Sequence, residues 1–152
     1  MAFYSASVTP AAPGTTNDVL TITGAAAGVV LVHEVSVSGE GTASAANELG
    51  AFRPTTLGVT PTAQVPAQID FDSSPFGGTV ATLFGTAPVI TAVVSLLRLG
   101  CNSNGGVYRW VAKPGEEIRL RGNATVSVSQ LSLRFTLGGS QQMGVHAVFE
   151  GL

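Results

Sequence analysis

The chain has 152 residues, only 11% of them charged, and a net charge of −2 at pH 7 with no run of cations. That balance excludes a phosphate-binding stripe, and the longest apolar runs, near residues 28–32 and 89–99, are too short and too interrupted to cross a bilayer. A typical soluble domain is about 25% charged; here Ala, Gly, Ser and Thr replace the charge, which gives a neutral, small-residued surface suited to contact with other protein subunits.

Residues 1–17, rich in Ala, Ser, Thr and Pro, read as an N-terminal arm: a short strand or extended piece over 3–8, then an irregular link through Pro10, Pro13 and Gly14. They lack the cationic start and apolar centre of a secretory signal. Residues 18–23 alternate with period two and end at Gly24, as a strand does. A strand over 29–38 follows, with Leu31, His33, Val35 and Val37 expected on one face and Val30, Val32, Glu34 and Ser36 on the other. Residues 39–50 read as a loop. Residues 51–58 read as a strand, at an edge or bulged because Pro54 cannot donate to a ladder.

Residues 59–88 form a long connection containing Pro61, Pro66, Pro75, Pro88 and Gly77-Gly78. Loops of that length inside a compact domain tend to be functional. Residues 90–99 are apolar on both alternating faces and predict a central strand covered on both sides. Tyr108, Trp110, Ile118 and Leu120 mark two strands around Lys113-Pro114-Gly115-Glu116, a turn signal, so 107–120 reads as a core hairpin. The only Trp of the chain, Trp110, is then expected in the core, where truncation to Ala costs about 3–5 kcal/mol. Gly122-Asn123 signals a further turn. A long strand over 124–137 changes phase near Ser129-Gln130, where a bulge or bend is expected. The last strand covers 144–149. The pattern is all-β, an antiparallel jelly-roll-like β-sandwich of about eight strands, with residues 18–152 forming one domain.

No catalytic constellation emerges, and no catalytic, cofactor-binding or metal-binding residue is assigned; the chain reads as a non-enzyme. His33 lies inside a strand and reads as a core or interface histidine. His146 has no Cys or second His at ligand spacing. Asp70 and Asp72 could share a Ca²⁺ face but lack further ligands, and read as solvated loop acids. Glu116 and Glu117 follow a turn and read as exposed. Cys101, the sole cysteine, excludes an intrachain disulfide, fits assembly in a reducing cytosol and reads as a buried, inert thiol. Gly39-Glu40-Gly41 lacks the rest of a dinucleotide fingerprint, and Gly-x-Ser-x-Gly and P-loop patterns are absent. Asn123-Ala124-Thr125 is a glycosylation sequon that matters only on secretion. Six of the seven cations are Arg, the cation that loses less on partial desolvation, and this leans toward interfaces.

The start Met1-Ala2-Phe3-Tyr4-Ser5-Ala6-Ser7-Val8, the block over 49–56 leading to Gly58-Val59-Thr60-Pro61, and above all Tyr108-Arg109-Trp110-Val111-Ala112-Lys113-Pro114-Gly115-Glu116 resemble a group of small virion structural proteins of tailed bacteriophages. The resemblance spans most of the chain in order, and the Pro-rich segment over 65–75 departs from it. It implies a capsid decoration or cement protein with a jelly-roll-like sandwich. It also implies a homotrimer that binds the major capsid protein and stabilises the phage head, assembled in the host cytoplasm and residing on the virion surface. Neither nucleic acid nor membrane is an expected partner. The alternative carried from the sequence is a carbohydrate- or receptor-binding jelly-roll module of a phage tail or fibre.

Overall fold

The structure is a computed structural model that describes residues 2–91, 95–122 and 125–151. Two antiparallel sheets face each other across one apolar core. The first sheet contains β1 (Ala2–Val8), β3 (Val29–Gly39), β6 (Ala67–Gln68), β9 (Val107–Val111), β10 (Ile118–Arg121) and β12 (Met143–Gly151), in the order β10-β3-β12-β1-β6, with β9 also on β3. The second contains β2 (Asp18–Thr23), β4 (Ala46–Phe52), β5 (Thr62–Gln64), β7 (Thr79–Thr82), β8 (Leu97–Asn102) and β11 (Gln130–Leu137), in the order β5-β7-β2-β11-β4-β8. The all-β expectation holds, with twelve strands among the described residues rather than about eight.

Both inner faces follow the period-two rule. Leu20 and Ile22 pair in register with Leu133 and Leu131, and Leu49 and Ala51 pair with Phe135 and Leu133, so seven apolar side chains form one inward layer. Tyr4, Ala6, Val145, Ala147 and Phe149 supply the layer opposite. Tyr4, Phe76 and Phe149 form an aromatic triangle with ring centroids 5.0–5.8 Å apart. The Tyr4 hydroxyl donates to the Ser74 carbonyl at 2.6 Å, which satisfies the one polar atom of that cluster.

Several expectations are corrected. The reading of residues 1–17 as an arm gives way to a sheet strand: β1 pairs with β12 from Ala2↔Gly151 to Val8↔Val145 and borders β6 on its other side. The 107–120 hairpin is not a hairpin. β9 and β10 both run antiparallel to β3 along the same edge, Val111 opposite Glu34 and Ile118 opposite Val32. The Lys113–Glu116 turn is present, with Glu116 N–H donating to the Lys113 carbonyl at 2.9 Å, but it loops out of one interrupted edge strand. Trp110 is therefore half-buried at that edge, packed against the core instead of inside it.

The face assignment of β3 changes phase at His33. The register runs Val148↔Glu34 and then Phe149↔Val32, so His33 is an extra residue, and the buried set is Val30, Val32, Val35 and Val37. The slip expected near Ser129-Gln130 is a short helix, α1 (Val126–Ser129), leading into β11. β4 begins at Ala46 within the expected loop, lies inside its sheet and ends before Pro54. β8 begins only at Leu97 and is an edge strand, not a central one; residues 92–94 of that expected strand, and Asn123-Ala124, lie outside the described residues.

Two expected outcomes follow. Deleting residues 2–8 removes an interior strand with Tyr4 and Ala6 of the core, so the truncated chain should show no cooperative thermal transition by circular dichroism. Trp110→Ala should cost less than about 3 kcal/mol, the lower end for a fully buried aromatic, when measured by urea unfolding.

Candidate interaction surface

The long connection is built into the fold as a third layer. Residues 53–60 run back against 84–91 through the bridges Thr56↔Val89 and Val59↔Thr86. Thr55 N–H donates to the Val89 carbonyl at 2.7 Å, and Val59 N–H to the Thr86 carbonyl at 2.9 Å. This flap covers the outer face of the second sheet, the face that carries Thr21, Ser132, Phe52 and Ala81. All four are buried although they point away from the core. Leu83 (φ 45°) and Thr60 (φ 50°) adopt left-handed backbone at the flap's base, flanking Phe84, which is buried.

Under the flap sits a buried ion pair. Asp18 is fully buried and Arg134 nearly so. The Arg134 guanidinium meets Asp18 Oδ1 through Nη2 at 2.6 Å and Nε at 2.7 Å, and the same Nη2 donates to the Pro88 carbonyl at 2.8 Å. Thr21 Oγ1 donates to Asp18 Oδ2 at 3.0 Å. The Ser132 hydroxyl stands by the same carboxylate without a hydrogen bond of good geometry. Asn17 completes the tie, its side-chain amide donating to the Phe84 carbonyl at 2.7 Å. One cluster thus fastens β2, β11 and both ends of the flap's returning limb. Burial pushes the Asp18 carboxyl above the ordinary Asp value, against the opposing pull of Ser132, Arg134 and Thr21.

Beyond the flap, Val65-Pro66 carries the chain from β5 at the edge of the second sheet to β6 at the edge of the first, closing one side of the sandwich. A cleft of about 510 Å³ opens beneath this crossing, lined by Val65, Pro66, Pro75, Phe76 and Val80, with Gln64 and Gln68 at its polar margin. A tight turn then runs from Asp70 to Ser73, whose N–H and hydroxyl donate to the Asp70 carbonyl at 3.1 and 2.8 Å. Phe71 at its tip is 97% exposed.

Residues 54–97 contain only two charged side chains, Asp70 and Asp72. Yet Leu57, Val59, Val65, Ile69, Phe71, Leu83, Val89 and Leu96 all expose their side chains there, eight of the thirteen exposed large apolar residues among those described. Exposed large apolar side chains concentrated in a segment so poor in charge make it the candidate interaction surface of the chain.

The residues singled out in the sequence are dispersed. Cys101 is buried and burial raises its thiol, which keeps it protonated and unreactive. His33, displaced by its bulge, stacks near Phe3 (centroids 5.5 Å apart) and donates to Glu150 Oε2 at 3.2 Å. Glu150 is buried and its Oε1 has no partner; alternation of polar and apolar residues at the chain's end gave no sign of it. His146 lies between Ser7 and Ser36 on the outer face of the first sheet, by a shallow depression that also reaches Glu40. Glu117 turns back on its own turn and accepts from Gly115 N–H at 3.0 Å, which holds its carboxyl below the usual Glu value. Asp70 accepts from Phe3 N–H at 3.4 Å, and no group of three or more His, Cys, Asp or Glu is placed to hold a metal among the described residues.

Removing one partner of the flap's ion pair tests its role. Asp18→Ala should cost about 3–5 kcal/mol by leaving Arg134 uncompensated. The pH dependence has a defined sign. Folding raises the Asp18 carboxyl, so the folded chain holds a proton that the unfolded chain releases above about pH 4. The contribution is present at acid pH and lost as pH rises through the raised value. The stability of wild type relative to Asp18→Asn should therefore be greatest below about pH 4 and decline toward neutrality in urea titrations at each pH.

No family model, curated protein or solved structure matches this chain.

Proposed function

We propose that this protein is a structural virion component, a decoration or cement protein that binds the outer surface of a tailed-phage head as a homotrimer. The observation that carries the reading is the set of exposed apolar side chains over residues 57–89, an interval whose only charges are Asp70 and Asp72, with Leu57, Val59, Leu83 and Val89 presented by the tied flap. Covering such side chains with another protein surface removes apolar area from water, and a capsid lattice offers many equivalent sites for that contact. The sequence resemblance to phage decoration proteins points the same way.

The jelly-roll form belongs to the same proposal. If β9 and β10 count as one interrupted strand and the short β5, β6 and β7 are set aside, eight principal strands remain. Their orders are β9/β10-β3-β12-β1 in one sheet and β2-β11-β4-β8 in the other. In sequence rank these are 6-3-8-1 and 2-7-4-5, the arrangement of two interleaved Greek keys. The alternative, a carbohydrate- or receptor-binding module of a tail or fibre, draws on the cleft under Val65-Pro66, where Phe76 and two glutamine amides lie together.

Heads of the encoding phage assembled without this protein provide the test. Added protein should co-sediment with them to saturation, and the flap-face variant Leu57→Ser/Leu83→Ser/Val89→Ser should bind at least about tenfold more weakly, a loss of about 1.4 kcal/mol, with an unchanged melting curve. Absence of particle binding, together with selective retention on a glycan array, would replace this reading with the alternative.

A further inference from the structure

We infer that the two opposite edges of the first sheet dock on each other in successive copies of this chain, the Asp70–Ser73 turn of one copy meeting the β10 edge of the next. This deepens the self-association part of the reading above.

Among the described residues, the cations outside ion pairs gather at one of these edges and two exposed carboxylates at the other; Glu40, away from both, accepts from the Ser38 hydroxyl. The ion pairs among the described residues use Arg98, Arg109 and Arg134, and Arg53 is spent on the carbonyls of Val128 and Arg119. The cations left are Lys113, Arg119 and Arg121, all on the β10 edge or the turn leading into it, and Arg119 and Arg121 are exposed. Of the acids in that turn, Glu117 is folded back onto Gly115 N–H and Glu116 is exposed beside Lys113. At the other edge the charged side chains among the described residues are Asp70 and Asp72, exposed on either side of Phe71.

The two edges also lie at the same height. One row of register partners crosses the sheet from Phe3 through Glu150 and Leu31 to Arg119. The turn is fixed to the Phe3 end of that row, with Ile69 N–H donating to the Phe3 carbonyl at 2.8 Å and Asp70 accepting from Phe3 N–H. A rotation about an axis parallel to the strands therefore brings the Asp70–Ser73 turn of one copy level with Arg119 of the next, with Arg121 two residues further along β10.

The contact chemistry matches. Asp-Phe-Asp offers two carboxylates around an aromatic ring; Arg-Leu-Arg on an edge strand presents two guanidiniums, which pair with carboxylates and stack on a ring face. Val128 of α1, exposed beside β10, adds apolar surface for Phe71. The β10 edge does not invite another strand, because Arg53 Nη2 already donates to the Arg119 carbonyl at 2.7 Å. Contact between different patches is head-to-tail, and such contacts close into rings when the rotation permits.

Charge reversal tests this without any virion, so its failure leaves head binding standing on its own experiment. By sedimentation velocity at about 100 μM protein, wild type should run as a discrete oligomer that weakens in 1 M NaCl, where the screening length falls to about 3 Å. Asp70→Arg/Asp72→Arg should run as a monomer, and so should Arg119→Asp/Arg121→Asp, each with a wild-type circular dichroism spectrum. The chain carrying all four reversals should regain the oligomer, which a general loss of folding cannot produce. A monomeric wild type, an oligomer indifferent to either reversal, or no recovery in the fourfold variant would overturn the contact.

Discussion

The arrangement of this molecule depends on one buried charge pair. Arg134 stands on the face of β11 that points away from the core, where alternation alone would give it to water. Instead its guanidinium bridges Asp18 on β2 and the Pro88 carbonyl of the flap, so a single side chain joins two strands and a third layer. An ion pair taken out of water gives back little net stability, because desolvation offsets most of its attraction. What it supplies here is position. The flap can lie over the second sheet in only the register that satisfies Arg134 and Asn17 at once.

That fixed position makes a loop-like sequence into a surface. The flap spends its inward apolar residues, Phe84 and Pro88 among them, on covering Thr21 and Ser132, and leaves Leu57, Val59, Leu83 and Val89 facing outward. Without the tie these side chains would collapse on the sheet or on one another. With it they are held in place before any contact is made, and on the reading proposed above such a preformed surface would need little ordering on binding.

Much of the fold is legible in the sequence, because period-two alternation and Gly or Pro punctuation report strands directly. The strands around 18–23, 29–38, 107–111 and 130–137 all emerge that way. The errors share a physical origin. His33-Glu34 sits where a bulge changes phase, and two adjacent polar residues leave the alternation readable in either register. Lys113-Pro114-Gly115-Glu116 encodes a tight turn, but a tight turn can reverse a chain or interrupt a straight edge, and only the pairing of both flanks with β3 distinguishes them. The surface was less legible than the fold. The low charge of the whole chain and the length of the 59–88 connection point to contact with other proteins, whereas the burial of Arg134 and the exposure of Phe71 depend on where a distant segment comes to rest.

The pairing of β1 with β12 has a consequence for how the chain reaches this state. β1 lies between β12 and the two-residue β6, so its ladder has almost no partner until the other end of the described chain is made. During synthesis Tyr4 and Ala6 must wait outside any sheet, and the first sheet cannot close before β12 exists. Contacts of such long sequence separation put the molecule at the slow end of folding rates, where loop closure is paid in full before pairing returns anything. Until then β1 keeps both of its edges open to strand pairing with other unfolded copies, so the yield of folded protein should fall as the concentration of refolding chains rises.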